Sequence, residues 1–100
     1  MARVVQTITI RPIPDHHDAI MADLKAYKTY MESRGATVSV AYALESGPNW
    51  GRTTIATTWP SAADWAKAVD DTSPEMMEIR RKSIASGDVL DASLLQLVDL

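Results

Sequence analysis

The chain has 100 residues, 46% of them hydrophobic and 23% charged, a composition that fits one folded domain (1–100) and excludes a polar disordered segment. A net charge of −3 leaves no basic footprint for nucleic acid or for an anionic membrane surface. The absence of cysteine excludes a disulfide framework, a thiolate nucleophile and a Cys-based zinc site.

Apolar periodicity divides the chain into six elements. Arg3–Arg11 reads as a strand, with Val4, Gln6, Ile8 and Ile10 on one face and Val5, Thr7 and Thr9 on the other. Pro12 and Pro14 are expected to stop it, because neither can donate to a ladder. Asp15–Arg34 reads as a helix capped by Asp15, with Asp18 three residues on and Ile20, Leu24, Tyr27 and Met31 as a single stripe. Gly35 stands where a left-handed C-terminal cap is usual.

Two strands follow, Ala36–Glu45 and Arg52–Trp59, joined by a Glu45–Gly51 turn rich in Ser, Gly, Pro and Asn. The second helical region, Ser61–Ser86, reads as two pieces. Ser61 caps the first, and Ser73-Pro74-Glu75 restarts the second with proline in the first helical position; Gly87 is expected to end it. The last strand, Val89–Leu100, carries Leu90, Leu94, Leu95, Leu97, Val98 and Leu100, an apolar tail expected to dock on a partner or within its own sheet.

No apolar run approaches the ~20 residues of a membrane span, and the opening MARVVQTITIRP passes straight into a strand pattern without a signal-peptide core. A cytoplasmic protein is expected. The order strand, helix, strand, strand, helix, strand predicts an α+β, ferredoxin-like βαββαβ fold with an antiparallel sheet.

Both helical regions of that order cover one sheet face, and the large groups Val38, Val40, Tyr42, Leu44, Ile55 and Trp59 belong beneath them. The opposite face carries Thr7, Thr9, Ser39, Ala41, Ala43, Thr54, Ala56 and Thr58, without the Lys and Glu of a solvated sheet. Such a small, uncharged face predicts a homodimer formed sheet to sheet.

Few residues offer chemistry. Gln6 is the one polar side chain on the large-apolar face of its strand; it either orients a ligand or is satisfied by backbone or water. Trp65 can pack back on Pro60 or, with Tyr27, Tyr42, Met76 and Met77, wall an apolar pocket. In the basic run Arg80-Arg81-Lys82, a solvated helix end is the default, but an inward Arg80 would match a carboxylate or phenolate. His16 and His17 are adjacent and point about 100° apart on a helix, so one metal cannot readily take both. The substrate-binding candidates are therefore Gln6, Tyr42, Trp65, Met76 and Arg80, with no metal, no cofactor and no assigned catalytic residue.

Thr57-Thr58-Trp59-Pro60-Ser61 leading into Asp64-Trp65, together with Ser73-Pro74-Glu75-Met76-Met77, resembles the dimeric α+β barrel superfamily, which includes antibiotic-biosynthesis monooxygenase-like, NIPSNAP-like and EthD-like domains. The Glu45–Gly51 turn looks like that of small NIPSNAP-like members. By this resemblance Gln6 replaces an asparagine of the monooxygenase and haem-degrading members, and their catalytic tryptophan falls near Ala68. Their haem-ligating histidine falls near Arg80; no histidine follows His17, so haem degradation is not expected.

The resulting expectation is a small homodimeric α+β barrel protein that binds an apolar or aromatic ligand between sheet and helices. The alternative is a cofactor-independent monooxygenase-like enzyme acting on an aromatic, polyketide-type substrate. An RNA-recognition domain of the same strand order would carry base-stacking rings where this chain has Val5, Thr7, Thr9, Thr54, Ala56 and Thr58.

Overall fold

The computed structural model describes residues 2–12, 17–43, 51–85 and 87–98. Its elements are β1 (Val4–Pro12), α1 (His17–Ser33), β2 (Thr37–Tyr42), β3 (Thr53–Trp59), α2 (Ala62–Val69), α3 (Pro74–Ala85) and β4 (Gly87–Gln96). The four strands form one antiparallel sheet in the order β2-β3-β1-β4, the ferredoxin-like arrangement.

Register fixes the two faces. Gln6 pairs with Thr57 of β3 and Leu94 of β4, and Thr57 pairs with Val38 of β2, so these four side chains share the helix-covered face. On the opposite face, Ser39, Ala56, Thr7 and Ser93 form one cross-strand row. A bulge between Thr9 and Ile10 leaves Leu90 as the extra residue of β4.

The core lies between sheet and helices. Ile20, Leu24 and Met31 of α1 are buried against Val4, Val38, Ile55 and Trp59, and Met76 of α3 is fully buried. The stripe on α1 reaches the sheet because its spacing keeps these residues on one face. Gly35, at φ +100°, ends α1: the Ala36 N–H donates to the Met31 carbonyl and the Gly35 N–H to that of Glu32. This is the Schellman pattern, and it turns the chain directly into β2.

The split of the second helical region is also observed. Ser61 Oγ accepts from the Asp64 N–H at 3.2 Å, and Ser73 Oγ accepts from the Met76 N–H at 3.3 Å. The end of β1 and the start of β4 depart from expectation. Pro12 is the last residue of β1, where its missing N–H costs the ladder least, and Gly87 opens β4 opposite it instead of ending α3. Asp15, Pro14, His16, Ser86, Leu100 and all of the Glu45–Gly51 turn but Gly51 lie outside the described residues.

The apolar tail is not buried within its own sheet. Leu94 and Leu95, on opposite faces of β4, are 43% and 51% exposed, and Val98 is 71% exposed. No helix among the described residues is long and apolar enough to cross a membrane.

Candidate functional site

A cleft of about 360 Å³ opens between the helix-covered sheet face and the helices. Its size falls within the range of small-molecule sites, ~300–1,000 Å³. Gln6, Ile8 and Trp59 contribute from the sheet, and Tyr27 and Met31 from α1. Trp65, Ala68 and Val69 of α2 form one wall, and Met76 and Arg80 of α3 complete it. Four of the five residues singled out from the sequence are thus brought together: Gln6, Trp65, Met76 and Arg80.

Tyr42 is not among them. It ends β2, the edge strand, and in the ladder it lies in the row of Ile10, four residues along β1 from Gln6. That places it roughly 13 Å along the strand direction and two strands across from Gln6. Its hydroxyl donates to Sδ of Met21 on α1, and the side chain is 40% exposed.

Gln6 is half-buried at the cleft, and its amide has no hydrogen-bond partner among the described residues. The Trp65 Nε1–H, by contrast, is buried without a hydrogen-bond partner among the described residues, as is Arg52 Nε, away from the cleft lining. An apolar site leaves such donors expensive to bury unless something accepts from them.

Arg80 turns inward, yet it meets backbone. Nη2 donates to the carbonyls of Ala68 at 2.7 Å and Val69 at 2.9 Å, and Nη1 donates to that of Asp71 at 2.9 Å. The guanidinium therefore serves carbonyls at the C-terminal end of α2, sharing that of Ala68 with the Asp71 N–H. Its neighbour Arg81 pairs with Glu78 on the exposed side of α3, the solvated position expected for the run.

Tyr27, named from the sequence as a possible pocket wall, does line the cleft, and it brings a polar partner, Thr57, that the sequence reading did not single out. Their hydroxyl oxygens are 2.7 Å apart, and Thr57 stands beside Gln6 in the ladder, so Tyr27 from α1 reaches the polar row of the floor. The position of Tyr27 in the same stripe as Leu24 and Met31 was the available signal. Burial pushes the Tyr27 phenol above its ordinary value of 10.0, with the Thr57 hydrogen bond opposing. A folded-state value above the unfolded one gives a contribution intact below pH 10.0 and lost as pH rises through the folded value. Unfolding measured across that alkaline range is expected to show a stability loss that is smaller in Tyr27→Phe. Equal losses in both proteins would show that Tyr27 does not set it.

None of the described lining residues is a carboxylate or a histidine. Among the described residues no group of three His, Cys, Asp or Glu side chains converges as a metal site. What the lining does supply is an apolar cleft whose Gln6 amide has no hydrogen-bond partner among the described residues.

No family model and no curated protein matches the sequence. Solved structures do match. A Chloroflexus aurantiacus protein named as an antibiotic biosynthesis monooxygenase is 16% identical, with a TM-score of 0.73 over 97% of this chain and 94% of its own. Hydroxynitrile lyase from Passiflora edulis is 13% identical at a TM-score of 0.73, covering 98% and 95%. A dimeric ferredoxin-like protein of unknown function from Jannaschia sp. CCS1 is 12% identical at 0.67, covering 97% and 99%. The chain has the ferredoxin-like α+β fold of antibiotic biosynthesis monooxygenase-like proteins.

Proposed function

We propose that this protein is a homodimer that binds a small aromatic ligand in the cleft between sheet and helices. The single observation that carries the reading is the cleft itself, an apolar lining of Ile8, Met31, Trp59, Trp65 and Met76 whose floor holds the Gln6 amide, without a hydrogen-bond partner among the described residues. Flat rings suit walls made of tryptophan and methionine, and an oxygen on the ring suits the Gln6 amide. With both Nη groups of Arg80 committed to backbone carbonyls, an uncharged acceptor fits better than the carboxylate that an inward arginine first suggested.

The homodimer follows from the uncovered sheet face and has a parallel in the dimeric Jannaschia protein of the same fold. The reaction does not follow from the fold, since the neighbours named above include a lyase as well as a monooxygenase.

Binding of a panel of phenols and aryl ketones, followed by the indole N–H resonance of Trp65, tests the reading. Gln6→Leu is expected to weaken binding at least tenfold while leaving the melting temperature unchanged or higher, because its amide has no protein partner to strand. Destabilisation by about 1–3 kcal/mol with unchanged binding would instead make Gln6 structural and overturn the ligand role. Quinone formation from anthrone under air, dependent on Gln6, would favour the cofactor-independent monooxygenase over a binding protein.

A further inference from the structure

We infer that Arg80 is a positioning residue that sets the width of the cleft, and hence the size of ligand admitted, by latching the end of α2 to α3. The ligand-size part rests on the binding reading above; the latch stands on geometry alone.

Helix α2 has eight residues, and none of them is fully buried. A helix so short depends on contacts outside itself: Trp65 and Ala68 pack on the core cluster, and each end is tied separately. The N-terminal end is fixed by Ser61, itself buried, two residues after β3. The C-terminal end is fixed by Arg80 through the carbonyls of Ala68, Val69 and Asp71. A planar guanidinium fork can serve several carbonyls at once, and its charge strengthens each bond and complements the helix terminus.

Helix α3 makes a firm anchor for this latch. Met76, one turn before Arg80, is fully buried beneath it. The remaining ties at the α2–α3 turn hold the Asp71 carboxylate: the Ser73 N–H at 2.9 Å, the Tyr30 hydroxyl at 3.2 Å and Arg34 at 3.3 Å. They secure the turn; Arg80 holds the Val69 carbonyl and shares that of Ala68 with the Asp71 N–H. Ala68, Val69 and Trp65 are the wall that α2 presents to the cleft. Releasing Arg80 frees the wall while the turn and the opposite floor stay in place.

Amide hydrogen exchange in Arg80→Met and Arg80→Lys tests the latch directly. The Asp70 and Asp71 amides, bonded to the Ala66 and Ala68 carbonyls, are expected to exchange at least tenfold faster in Arg80→Met and at an intermediate rate in Arg80→Lys. Amides of α1 should keep their protection. Unchanged exchange at Asp70 and Asp71, or an equal acceleration throughout α1, would overturn the latch.

The size consequence is read from two probes, two-ring 1-naphthol and three-ring anthrone. Arg80→Met is expected to shift their affinity ratio at least fivefold toward anthrone, with Arg80→Lys restoring part of the difference and the exposed control Arg81→Met none. An unchanged ratio would overturn the role in ligand size. Failure of the parent protein to bind either probe would refute the ligand reading, and the exchange result would still decide the latch.

Discussion

Ala56→Glu is expected to turn the proposed dimer into a monomer of 11.0 kDa. Ala56 lies in the central row Ser39, Ala56, Thr7 and Ser93 of the uncovered face, with Thr37, Thr58, Val5 and Leu95 on one side and Ala41, Thr54, Thr9 and Asp91 on the other. The one charge in these three rows is Asp91, on the edge strand β4. Thr9 and Thr54 already satisfy each other at 3.0 Å, so the face presents methyl groups and small hydroxyls to an approaching sheet. A symmetric pairing of such faces puts each substitution in the interface twice. An unpaired charge removed from water costs about 3–5 kcal/mol, so the two together weaken association by roughly ten-thousand-fold or more. Light scattering should report the monomer mass, while Ala22→Glu on the exposed side of α1 should leave the dimer intact. A wild-type mass for Ala56→Glu would place the interface elsewhere. The exposed leucines of β4 would then be the surface to examine, since Leu94 and Leu95 lie on its two faces.

The elements were legible because each rests on a local signal. Period-two alternation marks β1 and β3, the Ile20–Met31 stripe marks α1, and Ser61, Ser73-Pro74 and Gly35 mark ends whose caps the structure contains. The site was legible only in part, because it depends on facts with no local signature. Tyr42 has the right face but the wrong strand: only the order β2-β3-β1-β4 shows that β2 lies at the edge, away from Gln6. The inward turn of Arg80 is set by the fold of α2 back across α3, which brings carbonyls eleven and twelve residues earlier in the chain against its guanidinium. Spacing shows a cation at the end of a helix and cannot show which acceptors it meets. Tyr27 and Thr57, thirty residues apart, meet for the same reason: α1 and β3 are brought together by the sheet, not by sequence neighbourhood. Trp65 was visible as a ring, but its unpartnered Nε1–H depends on every group around it.

Met76→Ala is expected to destabilise the core strongly and to enlarge the cleft at the same time. Met76 has no exposed surface, packs with Val4, Trp59 and Met31 in the central cluster, and lines the cleft from α3. Removing a fully buried methionine side chain costs about 2–5 kcal/mol through lost burial and the cavity left behind. Against the ~5–15 kcal/mol that holds a small domain folded, that is a large share. Chemical denaturation should show a midpoint shift of this size with the slope retained. The neighbouring Met77→Ala makes the control: Met77 is 50% exposed, so its truncation should change stability by less than about 1 kcal/mol. Loss of Met76 also undercuts the support of Arg80 on α3, so the Asp70 and Asp71 amides of the α2 end should exchange faster even in protein that remains folded. Equal stabilities of the Met76 and Met77 variants would mean that α3 is not anchored through Met76, and the rigid side of the cleft would have to be sought on α1.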